Sequence, residues 1–268
     1  MPRANRHFLP GHVWHITHRC HKKEFLLRFS RDRSRWIKWL FEARKRYGLS
    51  VLNYVVTSNH IHLLVRDSGN QTIQRSMQLI ASRTAQEYNV RKKSNGAFWE
   101  DRYHATAIDT ESHLFRCLVY IDLNMVRAGI VEHPADWEHG GYLAIQNPPK
   151  RYQIIDSDAL CELSGIRSFK DFQVAHREWV SDSLQRGNLL NREASFSEAL
   201  AVGGSDYLST FQSAIGIEHR KRKTVEEEIG FCIKEPVTVY NCDFAGEIAG
   251  LSHENTWFWP DVIGNTMT

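Results

Sequence analysis

Two histidines one residue apart, His60-Ile61-His62, and a tyrosine and asparagine four apart, Tyr120 and Asn124, have spacings that could do chemistry. In an extended strand residues i and i+2 share a face, so the two imidazoles stand side by side, at a separation that suits one shared divalent ion. The same placement suits a pair of hydrogen-bonded core histidines, since an unpaired buried polar group costs roughly 1–3 kcal/mol. On a helix, four residues bring Tyr120 and Asn124 one above the other. His113, Arg116 and Arg127 fall with Asn124 within about 40° of Tyr120 at helical periodicity. Leu114, Leu118, Ile121 and Met125 flank this stripe on one side, Val119 and Val126 on the other. A polar stripe between two apolar flanks suits a helix packed along both edges with the stripe lining a site. Periodicity alone equally allows a solvated face with an incidental tyrosine.

The elements that must position these groups alternate between short strands and longer helices. Residues 12–20, HVWHITHRC, read as a strand. Trp36, Ile37, Leu40 and Phe41 recur at helical spacing within 31–47, and Gly48 caps that helix. Residues 49–57 and 60–65 are apolar, β-branched runs joined by a short Ser-Asn turn, a hairpin pattern. Residues 71–91 return to helical period, with Ile73, Met77, Ile80, Thr84 and Tyr88 on one side. FWEDRYHATAI (98–108) reads as a fourth strand, and a helix over 111–128 follows, ended by Gly129. Leu64 continues the His60 and His62 face, and Ile61, Leu63 and Val65 fill the other, so this strand is central and covered on both sides. The order β-α-β-β-α-β plus a helix predicts an α+β fold, a ferredoxin-like split β-α-β sheet. A mostly helical C-terminal extension follows, with helical stretches near 157–164, 168–187 and 195–215. Pro134, Gly140, Gly141, Pro148 and Pro149 place a boundary near 148–152, dividing the chain into 1–150 and 151–268.

Net charge is +3 over 268 residues, but it is unevenly spread. Residues 1–150 carry 23 Lys+Arg and 13 Asp+Glu, giving 23 − 13 = +10, and residues 151–268 carry 11 and 18, giving 11 − 18 = −7. A basic first half points to a polyanion, nucleic acid or an anionic membrane surface on charge alone. No segment approaches the roughly 20 apolar residues needed to span a bilayer, and the N-terminus lacks a secretory apolar stretch. Five cysteines without a C-x-x-C pair argue against a disulfide framework or cysteine zinc site, and for a reducing cytoplasm.

The segments SNHIHLLV (58–65), GAFWEDRYH (96–104) and YIDLNMVRAGIV (120–131) together resemble the single-tyrosine HUH transposases, and among them the REP-associated tyrosine transposases. The resemblance spans about residues 8–145. It implies that His60 and His62 are metal ligands, that Asn124 is the third, and that Tyr120 is the nucleophile. The cofactor implied is Mg2+ or Mn2+, which suits two imidazoles and an amide oxygen, Mn2+ tolerating imidazole better. The implied reaction is cleavage and rejoining of single-stranded DNA near hairpins through a 5′-phosphotyrosine link, in a cytoplasmic, nucleoid-associated protein. Met125 stands where the family's block has proline, so the helix is expected to run on through it, which leaves the position of Arg127 open.

Phosphate contacts are expected from Arg3, Arg6, Arg19, Lys22, Lys23, Arg91, Lys92 and Lys93, with Arg116 and Arg127 beside the tyrosine. His12, His15, His18 and His21 recur every third residue; steps of three alternate faces in a strand, so no second metal cluster is expected. Two rival readings share the fold: a domesticated, non-cleaving nucleic-acid-binding protein, and a metal phosphodiesterase that uses water. For 151–268 the patterning leaves open a second DNA-binding module, a dimerisation element or a lid; the basic run HRKRK (219–223) fits the first. The protein is expected to be a monomer or a homodimer.

Overall fold

The computed structural model describes residues 8–110, 112–187, 193–215, 223–227 and 230–234. Arg3, Arg6 and most of HRKRK lie outside them. Strand β1 (Val13–Arg19) leads through a short turn of 3-10 helix (His21–Lys23) to helix α1 (Ser30–Tyr47). Strands β2 (Ser50–Val56) and β3 (His60–Arg66) form the expected hairpin, followed by α2 (Thr72–Lys92) and β4 (His104–Ile108). The four strands lie in the order β2-β3-β1-β4, all antiparallel, which is the split β-α-β sheet read from the sequence. β3 is therefore interior, as its two apolar faces required.

Helix α1 buries Trp36, Leu40 and Ala43, and α2 buries Ile73, Met77, Ile80 and Thr84, so each presents one stripe to the core. Gly48 closes α1 in the left-handed conformation at φ 70°, its N–H donating to the Arg44 carbonyl, the cap expected of it.

Three sequence expectations are corrected. The strand expected over 98–108 is extended only from His104; Trp99 instead stacks on His18 at 4.0 Å, and its indole N–H donates to the Ala81 carbonyl, tying this stretch to α2 as a loop. The helix expected over 111–128 is broken into α3 (Ser112–Asp122) and α4 (Asn124–Arg127), with Leu123 at ψ 3° between them. Met125 does not make the helix run on. Residue 125 lies in the first turn of α4, where a proline would be tolerated equally. The 195–215 stretch is α8 (Ser195–Glu198), β5 (Ala201–Gly203) and α9 (Ser205–Ile215). Its Gly-Gly pair disfavours helix, and a Cβ on Gly203 would lie 2.7 Å from that of Asp109, so only glycine fits that strand.

The extension is mostly helical, with α5 (Gly141–Gln146), α6 (Ser157–Ser164) and α7 (Phe169–Arg186) preceding α8. It also adds strands to the same sheet. β5 pairs with β4 in parallel, and β7 (Gly230–Lys234) and β6 (Lys223–Glu227) continue it, giving among the described residues the order β2-β3-β1-β4-β5-β7-β6. One apolar cluster runs from Val13, Leu64 and Leu118 to Phe172, Phe196 and Phe211, so the sheet and the extension share a core.

A bulge between Val51 and Asn53 interrupts the β2–β3 register. It leaves Asn53 buried, its amide donating to the Leu118 carbonyl and to the Asp122 carboxylate. A side chain at Gly141 would strike the Asn53 amide, at 2.1 Å from its oxygen, so glycine there lets α5 close over the bulge.

Candidate active site

The histidine face of β3 looks onto α3 and α4. His62 lies opposite Thr17 and His60 opposite Arg19 across β1, and Thr17 in turn lies opposite His104 on β4. His62, Thr17 and His104 thus form a row across three strands, and His15 stands one step along the same face.

His62 is tied at both ring nitrogens. Its Nδ1 is 2.9 Å from His15 Nε2, and its Nε2 is 3.1 Å from the Asn124 amide nitrogen. His15 Nδ1 is 2.6 Å from the Phe196 carbonyl in α8, and the planes of the two imidazoles are 12° apart. Burial holds His62 well below the ordinary histidine value, with His15, His60, Arg127 and Arg19 adding to the effect. His15 is lowered to about 4, again mainly by burial. Both rings are neutral at neutral pH, the form in which imidazole ligates a metal.

His60 is held from the turn before it. Its Nδ1 is 2.7 Å from Asn59 Oδ1, and the Asn59 amide nitrogen donates to the Lys23 carbonyl, which fixes the amide so that its oxygen faces His60. Nδ1 of His60 therefore carries the proton and Nε2 the lone pair. The two ring centroids of His60 and His62 are 5.0 Å apart.

Among the described residues no group of three or more His, Cys, Asp or Glu is placed to hold a metal ion. The donor set at the expected place is instead two imidazoles and the Asn124 amide. Neighbouring donors on an octahedral divalent ion with bonds of about 2.1–2.2 Å sit about 3 Å apart. The 3.1 Å between His62 Nε2 and the Asn124 amide matches this, and half a turn of that amide puts oxygen where nitrogen stands.

Tyr120 lies beside this group, its ring edge-on to His62 at 6.0 Å and to His15 at 6.2 Å. The Arg127 guanidinium sits 3.9 Å from the Tyr120 ring centre and donates to the Tyr120 carbonyl at 2.8 Å, which settles the position that Met125 left open. Phe196 covers the ring at 5.2 Å, and Tyr120 is 2% exposed. Asn124 follows Tyr120 by four residues, with the helix broken at Leu123 between them, and both lie against His62.

The other charged candidates divide into two groups. Arg19 ends β1 beside His60, and Lys22 and Lys23 follow at positive φ of 50° and 60°, held by the Asn59 contact at the same end of the sheet. Lys92 lies over the exposed Phe29 ring at 5.6 Å, and Lys93 caps α2. Arg91 is paired with Asp32, and Arg116 with Glu193 at 3.1 Å; His113 sits 4.0 Å from Asp109. These last three each face a protein carboxylate. His15, Asn59, His104 and Phe196 were missed in the sequence. Strand parity was the usable signal for His15 and His104: the every-third pattern of histidines hid that His15 alone shares the His62 face, while His18 points away to stack on Trp99.

Two histidines, an amide and a tyrosine thus lie together against one face of the α+β sheet. Residues 10–124 match the model of the family described as "Transposase IS200 like". No functionally curated protein matches significantly. A solved structure described as a REP-associated tyrosine transposase bound to a REP hairpin is similar at 16% identity, over 58% of this chain and 94% of that one, with TM-score 0.44. A second, described as a candidate transposase from Deinococcus radiodurans R1, is similar at 14% identity over 45% of this chain and 96% of that one, with TM-score 0.33. Among the described residues no helix is long and apolar enough to cross a membrane.

Proposed function

We propose that this protein is a metal-assisted DNA-strand transferase acting on single-stranded DNA beside a hairpin, with Tyr120 as nucleophile and His60, His62 and Asn124 as metal ligands. The observation that carries this reading is the 3.1 Å approach of the Asn124 amide to His62 Nε2, four residues on from Tyr120. The three motifs that resemble REP-associated tyrosine transposases add a hairpin with a short single-stranded flank as substrate.

The Tyr120 oxygen attacks phosphorus, the P–O3′ bond breaks, the 3′ oxygen takes up a proton, and a 5′-phosphotyrosine link remains. Attack by a free 3′-OH reverses the exchange and releases the tyrosine, so no nucleotide cofactor is needed. A bound Mg2+ or Mn2+ supplies charge neutralisation at the phosphate oxygens as a Lewis acid. The phenol must lose its proton, ordinarily near pH 10, and Arg127 places positive charge against its ring. Phe196 and Arg127 cover that ring, so a phosphate reaches the hydroxyl only once this cover shifts.

The burial of Tyr120 favours one second reading, a metal phosphodiesterase in which water attacks and Tyr120 only packs. A non-cleaving DNA-binding protein is the third outcome. Incubation of the full chain with Mn2+ and an end-labelled hairpin carrying a single-stranded flank is expected to give site-specific cleavage. EDTA and His60→Ala should each abolish it while hairpin binding persists. Cleavage that survives both overturns the ligand set, and binding without cleavage at any metal concentration favours the non-cleaving protein.

A further inference from the structure

We infer that His15 is a positioning residue for the metal site, setting through one hydrogen bond which nitrogen of His62 carries the lone pair. The inference rests on the metal reading above and adds to it a residue outside the ligand set.

The chain of bonds leaves one assignment for neutral rings. A backbone carbonyl can only accept, so the Phe196 oxygen at 2.6 Å makes His15 Nδ1 the donor. A neutral imidazole has one N–H, so His15 Nε2 is an acceptor. The His62 Nδ1 that faces it at 2.9 Å must then donate. The lone pair of His62 is left on Nε2, the nitrogen turned to Asn124. With the other tautomer of His15, the Nδ1 lone pair would face the lone pairs of the Phe196 carbonyl oxygen at 2.6 Å. His15 is fully buried, and the two rings lie nearly in one plane, edge to edge with centres 5.0 Å apart, so the bond fixes the plane of His62 as well as its proton. Asn59 performs the matching task for His60, with the Lys23 carbonyl as its terminus. Partners of this kind orient ligating histidines and make them more basic, and their loss typically weakens metal binding about 10–100-fold.

The relay also gives the C-terminal extension a place in the site. The carbonyl that orients His15 belongs to α8, and α8 is held to the sheet by the Thr106 hydroxyl, which donates to the Ala199 carbonyl at 2.7 Å. The tautomer of a ligand on β3 is thus set by a segment more than a hundred residues further along the chain.

The test uses the full chain, metal-free, labelled with 15N at histidine. Long-range 1H–15N spectra are expected to show His62 of the parent with the proton on Nδ1. His15→Gln, whose side-chain oxygen can still accept from His62, should keep that tautomer and bind Mn2+ within a few-fold of the parent by electron paramagnetic resonance titration. His15→Leu, which offers no acceptor, should shift His62 toward the Nε2–H form and raise the Mn2+ dissociation constant about tenfold or more. His62 unchanged in tautomer and Mn2+ affinity in His15→Leu overturns the inference. So does equal loss in both variants, since that marks a packing role. If His15→Leu does not fold, the parent tautomer and His15→Gln decide: the proton on Nε2 in the parent, or full loss of Mn2+ binding in His15→Gln, overturns it. A parent that holds the Nδ1–H form and follows the expected tautomer series, yet binds no Mn2+, contradicts the metal reading and leaves the relay standing.

Discussion

The Asp122 carboxylate and His176 Nε2 lie 2.8 Å apart, with side chains 1% and 0% exposed. Asp122 ends the helix that carries Tyr120, and His176 comes from α7 in the extension. Asn53 donates to the other carboxylate oxygen at 3.0 Å, and Gln146 meets the far nitrogen of His176 at 3.0 Å. Removing one member of such a buried pair leaves its partners unsatisfied and costs roughly 3–5 kcal/mol. Asp122→Ala is therefore expected to lower the urea midpoint sharply and to reduce cleavage through the displaced end of α3. Asp182, exposed and paired with Arg186, is the control, worth under about 1 kcal/mol. Equal midpoints for Asp122→Ala and Asp182→Ala would show that the buried pair does not hold α3.

Asn124→Leu keeps the volume of the side chain and removes its donor and acceptor atoms. The variant is expected to fold, to bind hairpin DNA, and to need about tenfold or more Mn2+ for half-maximal cleavage. Superimposable metal titrations of parent and variant would remove Asn124 from the ligand set.

The histidines set the direction of a pH effect on stability. His15 titrates near 4 when folded and near 6.5 when unfolded, so below pH 6.5 the unfolded chain binds the extra proton. His62 is displaced in the same direction. The stability these neutral rings contribute is complete above pH 6.5 and is lost as pH falls toward 4. From His15 alone the loss by pH 5 is on the order of 2 kcal/mol. Urea midpoints measured at pH 7.5 and pH 5 should differ accordingly, and His15→Gln should narrow the gap. A flat profile in the parent contradicts the burial of neutral rings.

Phosphate contacts are predicted for Lys22 and Lys23 at the His60 end of the sheet. Hairpin binding by the full chain should weaken steeply with salt. Lys22→Ala and Lys23→Ala should each lower the log–log slope by about one. Slopes equal to that of the parent would place the phosphates elsewhere.

The β3 pair was legible in the sequence because strand parity is strict: His60 and His62 share a face whatever the sheet does around them. The helix stripe was legible in part, since Tyr120 and Asn124 both lie against His62, yet His113 and Arg116 face Asp109 and Glu193. Periodicity cannot see a break at Leu123, which coincides with buried bonds to Asp122 from Asn53 and His176, on other elements. His15 escaped because its importance lies in register between β1 and β3, a long-range property. β5 escaped because Ala-Val-Gly is too short to read as a strand until β4 is beside it. The boundary expected near 148–152 marks a turn-rich connection that one core spans from both sides.

The most direct measurement is the fate of labelled DNA on Tyr120. Parent protein with Mn2+ and a labelled single strand beside its hairpin should give an adduct that resists SDS, and peptide mapping should place it at residue 120. Tyr120→Phe keeps the ring against Phe196 and Arg127, so folding and DNA binding should persist while adduct and cleavage vanish together. An adduct at another tyrosine, or cleavage that continues in Tyr120→Phe with no adduct, would contradict Tyr120 as the nucleophile.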